Sequence, residues 1–242
     1  MPPALLESSL NLPPGYARIK VVSSFHELVT TPFGEGINGL CWQRTLEGDF
    51  GEVVRHLGLG DGLATLDEER LRGLSLSAAG KEAVEVILED LRLLQEHGLA
   101  PIADCIHGYP RDEEPGVVPT DVYSFHADSA TAEADTYLCT YFGPSSEGIR
   151  NEDALQRVSV PETRAALLEL FGGEEDEDFR EHLRENCYDL HYAPLPGAQV
   201  FSFGLYNLWR IAVDYPGSPV PPFIHRAPET QAGDPPRVLV IS

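Results

Sequence analysis

The second half of this chain is a series of short β-favouring runs separated by turns that carry proline and glycine. Residues 122–128, 136–144, 198–204, 208–214, 221–227 and 237–242 are rich in β-branched, aromatic and other apolar side chains, and each is of strand length. Short strands of this kind, following a helix-rich first half, predict an α+β fold. Its core is an antiparallel barrel or sandwich of the jelly-roll, cupin-like kind over residues 101–242, buttressed by helices. Residues 1–100 form a mainly helical N-terminal lobe with a few strands, packed on that core as one unit.

The helical signals are local and physical. Residues 49–58 read as a short helix stopped by Gly58. From 79 to 97, Val84, Ile87, Leu88, Leu91 and Leu94 repeat at the spacing of one helical face, and Gly98 ends the pattern. Pro161 opens another helix, closed by Gly172 and Gly173. Residues 173–186 are acidic and helical, a solvated flap. The first sixteen residues, with two Pro-Pro pairs, read as an extended arm, and 108–121 as a turn-rich connection. Strands are expected at 17–25 and 38–44.

Thirty-nine acidic residues against seventeen basic give a net charge of −22, a surface that repels nucleic acid. No run approaches the roughly 18 apolar residues of a membrane span, and the N-terminus lacks the pattern of a secretory signal. A cytoplasmic protein with a small-molecule substrate is therefore expected, with neither nucleic acid nor membrane as partner. Cys41, Cys105, Cys139 and Cys187 are too widely spaced for a zinc ribbon, an iron–sulfur site or a disulfide framework.

The chemistry concentrates in Phe125-His126-Ala127-Asp128. Alternate residues of a strand share a face, so His126 and Asp128 point the same way, about 7 Å apart along the backbone. A third ligand must come from elsewhere. His225, at the end of Pro221-Pro222-Phe223-Ile224-His225, is the best candidate. Two histidines and one carboxylate on one face of an octahedron leave three positions open, an arrangement suited to iron(II) oxygenases. Arg237, twelve residues further on, offers a fork that could hold a carboxylate in a bidentate pair.

This order, His-x-Asp, a distant His and then an Arg, resembles the iron(II)/2-oxoglutarate-dependent oxygenases. More narrowly, the strings FHAD (125–128), TYFGP (140–144), LWR (208–210), IHRAP (224–228), PPRVLV (235–240) and WQR (42–44) resemble a bacterial family known as domain of unknown function 1826. After Gly143-Pro144 that family usually continues toward Thr-Glu-Trp, whereas this chain has Ser145-Ser146-Glu147-Gly148. The broad resemblance implies a double-stranded β-helix holding iron(II) through His126, Asp128 and His225. It implies Arg237 as the anchor of the co-substrate 2-oxoglutarate. The implied reaction consumes O2 and 2-oxoglutarate to oxidise an unactivated C–H bond, by hydroxylation, desaturation or ring closure. Asp128 argues against halogenation, which needs the carboxylate's place for a halide.

Other residues are candidates for contact. Tyr137 and Tyr141 share a strand face with Cys139, and either hydroxyl could help hold the co-substrate if that face lines the barrel. Arg210, Arg226, Glu147 and Asn151 are candidate substrate contacts, although Arg226 points away from His225 if the segment is extended. His191 is a competing ligand for a histidine-rich, cupin-like centre. The substrate expected is small, polar and amino-acid-like. The alternative is a non-catalytic β-barrel that binds or senses metal; Arg237 separates the two readings, since metal storage needs no carboxylate anchor.

Overall fold

The structure is a computed structural model that describes residues 10–58, 60, 62–109, 116–230 and 233–242. The first nine residues of the expected arm and residues 110–115 of the expected connection lie outside the described residues. In chain order the elements are β1 (Ile19–Val22), α1 (Phe25–Thr30), β2 (Gly39–Trp42), α2 (Phe50–Leu57), β3 (Gly62–Leu66), α3 (Glu68–Arg72), α4 (Ala78–Glu96), β4 (Ile102–His107), β5 (Phe125–His126) and β6 (Asp135–Phe142). There follow β7 (Glu147–Ile149), β8 (Ala154–Gln156), α5 (Pro161–Phe171), α6 (Glu177–Glu185), β9 (His191–Pro194), β10 (Val200–Ser202), β11 (Leu208–Ala212), β12 (His225–Arg226) and β13 (Arg237–Ile241).

The strands form two sheets in a mixed α+β fold, one sheet being curled into a half-barrel. The larger runs β1-β2-β11-β6-β13-β4-β3, antiparallel apart from the β1–β2 pair. The smaller runs β10-β7-β12-β5-β9-β8, antiparallel throughout. Strands from residues 1–100 thus lie in the same sheet as strands from residues 101–242.

Helices α2, α4 and α5 lie where the sequence signals them, whereas α1 and α3 were not expected. Asp49 caps α2 by accepting from the Glu52 amide, and Gly58 ends it in the left-handed conformation. Ser77 caps α4, whose buried face includes Val84, Ile87 and Leu94. Pro161 opens α5 and Gly172 closes it with a φ of 73°. No helix among the described residues is long and apolar enough to cross a membrane.

Helices α2 and α4 cover one face of the larger sheet, burying Leu40, Phe50, Val53, Leu208, Val238 and Val240. Each such side chain contributes about 1.5–3 kcal/mol by leaving water. A buried ion pair fixes this layer. Arg44, just past β2, reaches Asp90 of α4 through both terminal nitrogens, at 2.6 and 2.7 Å, and lies over the Trp42 ring. Asp90 also accepts the Tyr141 hydroxyl at 2.5 Å, and Arg44 Nε donates to the Tyr206 carbonyl. The opposite face of the larger sheet packs on the smaller one through Leu138, Trp209, Ile211, Phe201, Phe203 and Phe223.

Candidate metal centre

His126 and His225 face each other across the β5–β12 pair, in direct register. Their neighbours Phe125, Ala127 and Ile224 pack on the outer face of the smaller sheet, so both imidazoles turn into the space between the sheets. The chain holds Asp128 beside them through two backbone bonds. Ala127 N donates to the Leu190 carbonyl, and Asp214 N donates to the Asp128 carbonyl. Asp128 Oδ1 lies 3.9 Å from His126 Nε2, and Oδ2 lies 3.8 Å from His225 Nε2. One ligand atom from each of the three falls within 4.8 Å of the others.

The surroundings prepare these atoms as ligands. His126 Nδ1 donates to the Ser124 carbonyl at 2.8 Å, which leaves the Nε2 lone pair facing the cluster. Burial pushes the His225 imidazole down to about 4, assisted by His126 and opposed by Asp128, so the ring is neutral at pH 7. Burial works against the Asp128 carboxylate, yet His225, the Thr136 hydroxyl and His126 together hold it below the usual carboxylate range. Thr136, on β6 of the larger sheet, donates to Asp128 Oδ2 at 2.5 Å. Two imidazoles and an oriented carboxylate form a donor set that fits a divalent transition metal, with part of the coordination sphere left over.

The carboxylate is the most exposed of the three side chains. The Asp128 side chain is 33% exposed, against 15% for His126 and 9% for His225. A groove of about 610 Å³ lies next to it, lined by Ser129, Thr131, Arg184, Asp189, Asp214 and Tyr215.

Arg237 also points between the sheets. Its neighbour Val238 packs on the helical side, while the guanidinium donates from Nη2 to Ser146 Oγ at 3.0 Å. It is buried, its Nε has no hydrogen-bond partner, and no carboxylate among the described residues pairs with it. Burial holds the guanidinium below its ordinary value, opposed mainly by Tyr109 and Tyr123. Ser146 is two residues from Gly148, the residue paired with His225, so roughly 7 Å of strand separates the two positions.

The other sequence candidates lie elsewhere. Tyr137 and Tyr141 are on the helical face of β6: Tyr141 stacks on Phe50 and is bonded to Asp90, and Tyr137 belongs to the same apolar layer. The residues turned toward the metal side are Thr136, Leu138 and Thr140, because the large aromatic side chains are needed to meet the helices. The tyrosines beside Arg237 are Tyr109 and Tyr123, which the sequence reading passed over. Arg210 is held by Asp135 and by the carbonyls of Leu28, Val29 and Thr31 at the end of α1. Arg226 and Glu147 pair with each other on the outer face of the smaller sheet, with Arg226 over the Phe125 ring. Asn151 staples Asn38 to the Pro222 carbonyl. His191 is buried on the same inner face, directly opposite His126, outside the three-ligand cluster.

Thr136 and Ser124 were the functional neighbours missed. Alternation puts Thr136 on the face of β6 opposite Tyr137 and Tyr141, but burial on both sides of the strand hid which face was inward. The Ser124 carbonyl carried no signal, since backbone acceptors have no sequence signature. No protein-family model, curated protein or solved structure matches the chain, so the family resemblance rests on its residues alone.

Proposed function

We propose that the chain is a non-haem iron(II)- and 2-oxoglutarate-dependent oxygenase acting on a small polar metabolite, with its two sheets forming a double-stranded β-helix. The observation that carries this reading is the convergence of His126, Asp128 and His225 between the sheets, with their ligand atoms within 4.8 Å of one another. The second support is Arg237, a buried guanidinium that meets hydroxyl groups rather than a carboxylate. Burying a cation without a counter-charge is costly, and a chain that only stores or senses metal gains nothing from it. A bound dicarboxylate would supply the missing charge.

Bound iron(II) supplies the oxidising chemistry; the chain supplies position, charge and exclusion of water. His126 and His225 offer imidazole nitrogens, and Asp128 offers the one negative charge. Thr136 and the Ser124 carbonyl hold two of these ligands in orientation. Arg237 and Ser146 hold the far carboxylate of 2-oxoglutarate, with the Tyr109 hydroxyl beside them. Substrate enters along the groove beside Asp128, where Arg184, Asp189 and Asp214 provide charges of both signs for an amino-acid-like molecule.

The test is an anaerobic titration. Apo protein is loaded with iron(II), and 2-oxoglutarate is added while the visible spectrum is recorded. A weak metal-to-ligand charge-transfer band is expected, absent in His126→Ala and requiring more 2-oxoglutarate in Arg237→Met. Metal binding without such a band would defeat the oxygenase reading and leave a metal-binding protein. Failure to bind any divalent metal would defeat both.

A further inference from the structure

Three histidines stand in one row across the smaller sheet. His225 pairs with His126, and His126 pairs with His191, so β12, β5 and β9 each place one imidazole at the same level. Directly opposed residues on antiparallel strands point to the same face. The rings of His225 and His126 are 4.6 Å apart between centroids, and those of His126 and His191 are 5.8 Å apart with a tilt of 37°. His191 is 5% exposed. The first two rings belong to the three-ligand cluster and the third does not.

We propose that His191 is a positioning residue of the metal site, which hydrogen-bonds an anionic group bound to the metal opposite His225. The proposal rests on the metal-site reading above. An octahedral ion held by three protein ligands on one face has an open position opposite each of them. A group on such an ion, on the side away from His225, would lie toward His191, the next imidazole in the row. A ligating imidazole holds its metal about 2.1 Å from the nitrogen, roughly 3 Å from the ring centre. A group on that metal therefore lies in the layer between the ion and a ring 5.8 Å from His126. An imidazole there carries at least one N–H, which suits an anionic oxygen or nitrogen. The role asked of it is donation, with no change of protonation.

The experiment uses the full chain loaded with cobalt(II), whose visible spectrum reports both metal occupancy and added ligand, and sodium azide as the anionic probe. His191→Leu removes the donor, His191→Gln keeps one, and His126→Ala serves as the ligand-loss control. Thermal melts of each apo variant establish that it is folded. Cobalt affinity in both His191 variants should stay within about threefold of the parent. Azide affinity should fall about tenfold or more in His191→Leu, the scale of a hydrogen bond to a charged group. Partial recovery is expected in His191→Gln. Unchanged azide affinity in a folded His191→Leu would overturn the proposal. Loss of cobalt comparable to His126→Ala would also overturn it, by making His191 a ligand. Failure of the parent chain to bind cobalt would instead strike the metal-site reading, and this proposal with it. If His191→Leu does not fold, the azide affinity of His191→Gln decides: a shift of threefold or more with intact cobalt binding supports the assignment, and none refutes it.

Discussion

Replacing Thr136 with valine isolates the contribution of one hydroxyl to the metal centre. The two side chains have nearly the same shape, so packing on β6 is preserved while the donor to Asp128 is lost. That bond is 2.5 Å long, at the short end for a hydroxyl meeting a carboxylate, and Thr136 is buried. A hydrogen bond to a charged group contributes about 1.5–3 kcal/mol net. Thr136 is also one of the groups holding Asp128 below the usual carboxylate range, so its loss favours the protonated acid that cannot bind metal. Outer partners of metal ligands typically affect affinity by about 10–100-fold. That corresponds to about 1.4–2.7 kcal/mol, in agreement with the hydrogen-bond range. Thr136→Val should therefore weaken cobalt(II) or zinc(II) binding by about 10–100-fold in competition with a chromophoric chelator. Thr136→Ser, which keeps the hydroxyl, should stay within about threefold. The unfolding free energy of the apo chain should fall by less than the full value of that bond, because Asp128 is one-third exposed and water can replace the lost donor. Unchanged metal affinity in folded Thr136→Val would refute the argument that this hydroxyl prepares the ligand.

Asp90→Leu should cost about 3–5 kcal/mol in urea unfolding, because it strands the buried Arg44 charge and the Tyr141 hydroxyl. Adding Arg44→Met should recover much of that loss; a double variant as unstable as the two single losses combined would show that the pair is not coupled. Apo stability should fall as pH drops from about 6.5 toward 4, because the unfolded chain takes up a proton that His225 refuses until about 4. The full effect is roughly 3 kcal/mol. The Asp128 shift acts in the same direction, its contribution being lost as pH falls through its depressed value. His225→Leu should flatten the slope of denaturation midpoint against pH in that window, and an unchanged slope would remove His225 as its source. Arg237→Met should leave apo stability unchanged or raise it by up to about 2 kcal/mol, because an uncompensated buried charge is removed. A loss beyond about 2 kcal/mol in calorimetric unfolding would mean the guanidinium is structural.

The cluster of His126, Asp128 and His225 was legible because its signal is geometric. Strand periodicity puts His126 and Asp128 on one face, and the register of β12 against β5 then puts His225 opposite His126. Helices α2, α4 and α5 were legible through apolar periodicity and their stops or starts at Gly58, Gly98, Pro161 and Gly172, whereas the short α1 and α3 were not. Short strands were harder to see. β7 is Glu147-Gly148-Ile149, with a glycine at its centre that β-propensity would reject. Glycine is required there, because a Cβ would lie 2.5 Å from the Phe201 ring. β3 alternates half-buried and exposed residues at an edge, and β9 begins on His191 and ends on Pro194. The inward face of β6 was also hidden. Six of its eight residues are buried, on both sides, so period two could not say which side faced the His-Asp-His cluster.

The arginines make the same point in the language of charge. In a chain with 39 acidic and 17 basic residues, a guanidinium has many carboxylates to meet. Sequence offers no way to tell which arginines have met one. Arg44 is closed on Asp90, Arg210 on Asp135 and Arg226 on Glu147. Each is consumed in holding one segment to another, which is why two plausible substrate contacts became structural pairs. Arg237 is the deepest of the four and meets the Ser146 hydroxyl instead. Against so acidic a background, a buried arginine without a carboxylate among the described residues is the feature that the proposed co-substrate site would need. That inference depends on knowing the partners of all four side chains, and only the folded arrangement supplies them.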